Sequence, residues 1–187
     1  MPDSRRVFFA LWPDEDVARQ FEEAGRQAHR ALGGRCMRRD TLHLTLAFVG
    51  ETTPERLAAL RGIAEAIRLP AFDLSFDRGQ CLARKRIFWA AAGRIPEALR
   101  ELAAALARQL DAAGFRTEDR PFAAHVTLLR HARCDGGPPP GELCIAWPVR
   151  DFVLVESDMK PQGARYRIIG RWPLITGNWE PATASQT

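Results

Sequence analysis

Residues 42–50, LHLTLAFVG, alternate apolar and other side chains so regularly that a β-strand is their natural home. Leu42, Leu44, Leu46 and Phe48 fall on one face; His43, Thr45 and Ala47 fall on the other, because strand side chains alternate with period two. The apolar face explains itself as core. The other face sets an ionisable ring beside a hydroxyl and calls for a partner. Residues 125–130, HVTLLR, supply one: again His-x-Thr on an apolar strand, 82 positions after His43. The surroundings rhyme, RRDTLHLTLAFVG against RPFAAHVTLLRHA, and each motif stands beside a well-formed helix. A single His-x-Thr says little, since Thr is a good strand former and a lone His usually packs or faces solvent. Two copies in matching places imply a two-fold internal repeat, each half offering one His-x-Thr face.

The chain has 187 residues, enough for one domain, or for two small lobes sharing a core. Its 46% hydrophobic and 27% charged content is ordinary for a soluble globular protein. No apolar run approaches the ~20 residues of a membrane helix. The opening MPDSRRVFFALWPDED has two arginines and a short apolar run, but Asp14, Glu15 and Asp16 follow at once and no small-residue cleavage site comes after. No signal peptide and a cytoplasmic location are therefore expected. Cys36, Cys81, Cys134 and Cys144 are irregularly spaced without a CxxC pair, so reduced thiols are expected rather than a disulfide framework or a zinc site. The net charge of +4 is carried by 25 Arg and only two Lys, Lys85 and Lys160. Arginine grips phosphate through a planar fork, which leans towards anionic partners; compositional bias in an Ala- and Arg-rich chain explains the same count.

Helices are expected at 14–32, where Val17, Phe21, Ala24, Ala28 and Leu32 form a stripe, at 54–67 behind Thr53 and Pro54, and at 96–113, ended by Gly114. Strands are expected at 6–12, 42–49, 71–76, 86–91, 124–129, 151–157 and 164–174, with a Gly- and Pro-rich loop at 133–142. This order suggests an α+β fold with antiparallel or mixed sheets. A single domain over 1–177 and a flexible tail over 178–187 are expected.

The paired motifs suit displacement at a phosphate. An unperturbed imidazole titrates near ~6.5, so two facing histidines can serve as one neutral base and one protonated acid. One deprotonates the attacking oxygen and the other protonates the leaving oxygen. Thr45 and Thr127 point their hydroxyls the same way, as donors to the non-bridging oxygens. No carboxylate–His cluster with metal spacing accompanies them, so no metal is required and no cofactor is expected.

With these motifs in view, the chain resembles the 2H phosphoesterase superfamily. LHLTLAFVG, GFRTEDRPFAAHVTLLR, the closing FVLVES and YRIIGRWPL, and the opening RVFFALWPDEDV are similar to its RNA 2′,3′-cyclic phosphodiesterase branch, formerly called 2′–5′ RNA ligase. The resemblance implies two pseudo-symmetric lobes around a cleft and metal-independent hydrolysis of an RNA-terminal 2′,3′-cyclic phosphate to a 2′-phosphomonoester. It implies His43 as proton donor to the departing 3′ oxygen, His125 as proton acceptor from water, and Thr45 and Thr127 on the phosphate. Run in reverse with a 5′-hydroxyl, the same chemistry gives 2′–5′ RNA ligation. The resemblance also puts Arg130 near the phosphate and Phe48 against the ribose or base. Strict alternation opposes both, since an offset of five from each histidine lands on the other face. They reach the cleft only if each strand ends or bulges after its threonine, which Gly50 permits in the first copy.

The remaining candidates have plainer readings. His29 is expected exposed on the first helix and His131 a bystander in a polar loop. Arg35, Arg38 and Arg39, and Arg84, Lys85 and Arg86, either steer an RNA backbone or make solvated surface. Trp89 and Trp147 are expected to fill the core. The expected partner is an RNA ending in a 2′,3′-cyclic phosphate, met by a monomer with no membrane attachment. The rival substrates are a small cyclic nucleotide, ADP-ribose cyclic phosphate or a 2′–5′ oligonucleotide, and the rival class is a non-catalytic RNA-end-binding module.

Overall fold

The computed structural model describes residues 5–116, 122–134, 142–160 and 163–177. The expected tail, 178–187, and most of the expected loop, 135–141, lie outside these residues. In chain order the elements are β1 (Arg5–Leu11), α1 (Glu15–Leu32), β2 (Arg35–Cys36), β3 (Leu44–Thr52), α2 (Pro54–Ala66), β4 (Phe72–Leu82), β5 (Ile87–Ala92), α3 (Glu97–Ala112), β6 (His125–Arg130), β7 (Glu142–Val149), β8 (Asp151–Lys160) and β9 (Gly163–Pro173). The fold is α+β, with every pairing between these strands antiparallel.

Two sheets carry the repeat. One runs β3-β1-β8-β9 and the other β2-β6-β5-β4-β7. Setting β2 aside, β3-β1-β8-β9 matches β6-β5-β4-β7 position for position, and both His-x-Thr motifs fall at corresponding strands. In each half two neighbouring antiparallel strands are joined through a helix, β1-α1-β3 and β5-α3-β6. The helices cross over: α1 packs on β6 and β7 of the other sheet, and α3 packs on β3. One apolar core joins the lobes, including Phe9 from β1, Phe21 from α1, Phe76 from β4, Phe88 from β5 and Leu106 from α3. A smaller cluster on the opposite face of β1 holds Phe8 and Ala10 with Val153 and Val155, flanked by Trp12, Tyr166 and Ile168. With both faces covered, β1 reads as an unbroken apolar run rather than an alternation.

The helix starts are chemically marked. Asp14 Oδ1 accepts from Val17 N at 2.9 Å, and Thr53 Oγ1 accepts from Arg56 N at 3.5 Å ahead of Pro54. The structure adds two strands that sequence periodicity did not reveal. β2 has only two residues, too few for a pattern. β7 alternates cleanly, with Ile145, Trp147 and Val149 buried, but Pro148 argues against a strand. It is tolerated because β7 is the outermost strand of its sheet. Among the described residues, no helix is long and apolar enough to cross a membrane.

The expectation of four reduced thiols is corrected. Cys81, near the end of β4, is bonded to Cys134, just past β6, while Cys36 and Cys144 are free. Their Cα atoms lie 5.6 Å apart although 53 residues separate them in sequence, so sequence spacing could not pair them. Thiol titration of the unfolded, unreduced protein should therefore find two reactive groups, and titration after reduction should find four. Four before reduction would show that the Cys81–Cys134 bond is not present.

Candidate active site

The first motif is held by the turn in front of it. Residues Arg39–Thr41 form a single 3₁₀ turn. Arg38 grips Asp40 through two hydrogen bonds of 2.9 and 3.0 Å, and Arg39 Nε donates to Glu22 of α1 at 2.9 Å while its other nitrogens reach Glu22 and Glu15. Thr41 is buried and donates its hydroxyl to Arg38 O at 2.8 Å. Arg38 and Arg39 are thus engaged with carboxylates of this chain, while Arg35 is exposed and makes no ion pair among the described residues.

His43 leaves this turn directly into β3. Its Nδ1 lies 2.8 Å from Thr41 O, and His125 Nδ1 lies 2.8 Å from Ala123 O. A main-chain carbonyl only accepts, so in each ring Nδ1 carries hydrogen and donates. That leaves Nε2 of both rings as the nitrogen that exchanges protons with a bound molecule. Thr45 and Thr127, both half-buried, follow on the same strand faces.

What happens next decides the fate of Phe48 and Arg130. In the β1–β3 ladder Ala10 pairs with Thr45 but Phe9 pairs with Ala47, so Leu46 is an extra residue. In the β5–β6 ladder Trp89 pairs with Thr127 but Phe88 pairs with Leu129, so Leu128 is the extra residue. The two bulges stand at the same place, three residues after each histidine. Each resets the alternation. Leu128 and Leu129 can then both be fully buried, and Arg130 emerges exposed on the face of Thr127 and His125. Phe48 likewise returns to the face of His43: both rings lie against Phe8, at 5.7 and 5.0 Å between centroids. Phe48 is 41% exposed, the one large hydrophobic so exposed among the described residues. β3 and β6 pack against one another, which brings the two motifs together across the cleft.

The two imidazoles sit in different surroundings. His43 lies parallel to Trp12 (5.4 Å, 5°), edge-on to Tyr166 (5.2 Å, 83°) and against Phe8. His125 has a single aromatic neighbour among the described residues, Trp89, at 4.7 Å and 42°. Burial pushes the His43 pKa down to about 4; the bond to Thr41 O pulls it up, and the positive charges of His125 and Arg130 push it down further. Burial also raises the Tyr166 hydroxyl, against the pull of Arg130 and Arg6. Arg130 is therefore felt by both groups on the opposite lobe.

Sequence reasoning missed four of these residues. Trp12, Phe8 and Tyr166 lie in stretches expected as strands and given no part in the site, and Tyr166 is the chain's single tyrosine, the signal that was there to find. Trp89 was expected in the core but is half-exposed beside His125, with Nε1 donating to Gln80 Oε1 at 3.1 Å. Trp147 is buried against Phe21 and Phe76, as expected. His29 and His131 are exposed, His131 with a left-handed backbone (φ 59°) and its carbonyl accepting from Arg86 at 3.3 Å.

Comparison with known proteins gives one consistent answer. The model of the LigT-like phosphoesterase family matches residues 11–89 and 91–166. An Escherichia coli protein named RNA 2′,3′-cyclic phosphodiesterase is 33% identical over 174 residues, covering 93% of this chain and 99% of its own length. A Thermus thermophilus protein of the same name is 30% identical over 179 residues, covering 90% of each. The crystal structure of E. coli LigT complexed with 3′-AMP superposes with a TM-score of 0.84 at 34% identity, covering 93% of this chain and 100% of that one.

The enclosure of His43 has a measurable consequence for stability. An unfolded histidine titrates near ~6.5 and His43 in the fold near about 4, so between those values the unfolded chain binds the extra proton. Stability is therefore lost as pH falls through this window, by at most about 3 kcal/mol from this group. Urea unfolding at neutral pH and near pH 4.5 should show a smaller loss in His43→Gln than in the parent. Equal losses would mean that the ring is not held neutral.

Proposed function

The chain belongs to the LigT-like phosphoesterase family, and on that premise we propose that it hydrolyses RNA-terminal 2′,3′-cyclic phosphates to 2′-phosphomonoesters without a metal. The observation that carries this reading is the pair of imidazoles, each pinned through Nδ1 to a carbonyl two residues back so that Nε2 is left for proton exchange, and close enough that His125 is felt at His43. In the proposed reaction water attacks phosphorus and gives its proton to Nε2 of His125. The bond from phosphorus to the ribose 3′ oxygen breaks, and that oxygen takes a proton from Nε2 of His43. The hydroxyls of Thr45 and Thr127 and the guanidinium of Arg130 hold the non-bridging oxygens, where charge builds. Phe48 gives the ribose or base an apolar surface.

His43 as donor must carry a proton that its surroundings disfavour in the free protein. A bound phosphate anion supplies the missing counter-charge, and it offsets the repulsion from His125 and Arg130 at the same time. Proton uptake at His43 is thus coupled to substrate binding, and the proton arrives where the departing oxygen needs it. The parallel Trp12 and the edge-on Tyr166 fix the ring plane, so Nε2 has one direction to point. The partner proposed is the RNA end, the working unit a monomer and the compartment the cytoplasm, where reductants would open the Cys81–Cys134 bond. Reverse 2′–5′ ligation follows by microscopic reversibility.

The test is a short RNA bearing a 2′,3′-cyclic phosphate end, incubated with the protein in excess EDTA, with the product compared against 2′- and 3′-phosphate standards. A 2′-phosphate is expected. A 3′-phosphate would reverse which ribose oxygen leaves, and no product would move the activity to a smaller cyclic phosphate. His43→Ala and His125→Ala should each lower turnover by about 10²–10⁴-fold. On an aryl phosphodiester whose p-nitrophenolate leaves without a proton, His43→Ala should recover more activity than His125→Ala. Recovery in the other variant would exchange the two roles.

A further inference from the structure

Many of the arginines are spent on carboxylates, among them Arg39 on Glu15 and Glu22, Arg100 on Glu97, Arg150 on Asp73 and Arg171 on Asp151. One end of the five-stranded sheet gathers several that are not. There Arg35, Arg84, Lys85, Arg130 and Arg133 are all exposed, and among the described residues none has a carboxylate partner. Arg86, beside them in a left-handed turn (φ 53°), donates from its guanidinium to the carbonyl of His131.

Two of these arginines oppose each other directly. Arg35 pairs with Arg130 across β2 and β6, and Cys36 pairs with Leu129. Leu129 is fully buried, and Cys36 turns its thiol towards Gly25 O of α1 at 3.8 Å. Arg35 therefore stands on the opposite, cleft-side face, next to Arg130, which the bulge at Leu128 has already returned to the face of His125. Like charges facing across a ladder are destabilising. The backbone nonetheless enforces this approach: Gly34 has φ +82°, and a Cβ there would come within 2.6 Å of Arg130 O. Next to this pair on β5, Ile87 opposes Arg130, and half-exposed Trp89 lies one pleat nearer the histidines. The turn at Ala83–Lys85 then delivers Arg84 and Lys85 beyond Ile87.

We propose that Arg35 binds the phosphodiester next to the reacting phosphate, and that Arg84 and Lys85 carry the RNA strand onward over this end of the sheet. The inference rests on the proposed RNA-end activity. Arg130 takes the terminal phosphate, and a second anion between or beside the two guanidiniums relieves their repulsion, with forked N–H donors matched to phosphate oxygens. Single-stranded RNA fits this surface because its charge repeats along the chain and Trp89 offers a stacking face beside the path. The site thereby distinguishes a polymer end from a cyclic mononucleotide, which has no second phosphate to give.

The experiment compares Arg35→Gln and the double variant Arg84→Gln/Lys85→Gln with the parent on two substrates: a 2′,3′-cyclic mononucleotide, and a short RNA with the same end. Arg100→Gln, on α3 away from the cleft, is the control. The ratio of kcat/KM for the RNA to that for the mononucleotide should drop about tenfold in each test variant, mainly through KM, and stay level in the control. The salt dependence of RNA binding should flatten by about 0.7 in slope for each lost phosphate contact. An unchanged ratio overturns the proposal, as does an equal loss on both substrates, which would place Arg35 at the reacting phosphate itself. Fluorescence anisotropy with RNA ending in a 2′-phosphate is read in parallel. If the parent turned over neither substrate, the activity reading would fail, and equal RNA affinity of parent and Arg35→Gln would still decide against the arginine path.

Discussion

Each imidazole gives one nitrogen to the backbone, and that bond organises everything around the cleft. Thr41 O and Ala123 O each take the Nδ1 hydrogen of the histidine two residues on. A carbonyl two residues back is available only where the chain enters a strand from a turn or loop, before the ladder has claimed its acceptors. His43 accordingly follows a 3₁₀ turn and His125 is the first residue of β6. The rest of each motif inherits its direction from that entry. Threonine sits two residues on, the bulge three residues on, and the outermost contact, Phe48 or Arg130, five residues on. Without the bulge, a strand that begins with an outward histidine would bury its fifth residue. With it, six residues place three side chains in the cleft and three in the core.

The repeat is symmetric in topology and unequal in environment. His43 faces three rings and has a strongly lowered pKa, whereas His125 has one aromatic neighbour among the described residues, Trp89. The difference begins with β1. Its second face is covered by β8 and β9 residues, so Phe8, Trp12 and Tyr166 wall the first motif. The corresponding strand β5 presents Trp89 to the cleft and Ile87 beside Arg130. A duplicated motif with one enclosed and one open histidine can divide acid and base duties, which two identical environments could not do.

The sequence made the periodic parts of this molecule legible. The helices at 15–32, 54–66 and 97–112 followed from stripes and caps, and most strands from alternation. The pairing of His43 with His125 followed from repetition. The parity of Phe48 and Arg130 did not, because a bulge is a property of two strands in register and one strand's residues do not announce it. β7 was hidden by Pro148, whose tolerance depends on an edge position known only once the sheet is assembled. Trp12 and Tyr166 were passed over, and Trp89 was expected in the core, for a similar reason: a β-branched or aromatic run fits either face of a strand, and only the neighbouring strands settle which face is covered. The Cys81–Cys134 bond joins segments that meet only because β4, β5 and β6 are adjacent.

Arginine content illustrates the same limit in charge. With 25 Arg in the chain, composition suggested an anionic partner and an indifferent genomic bias with equal force. Position separates the two. Arg38 and Arg39, three and four residues from Arg35, are consumed by Asp40, Glu15 and Glu22 and hold the turn that launches His43. Arg35 is brought by Gly34 against Arg130, where no carboxylate answers either charge among the described residues. A fold that answers many of its arginines with carboxylates on helices, strands and turns, yet leaves two facing guanidiniums beside its paired histidines, has kept positive charge where an incoming anion can use it. The paired arginines hold the fold together; those at the end of β6 are the ones the proposed RNA path draws on.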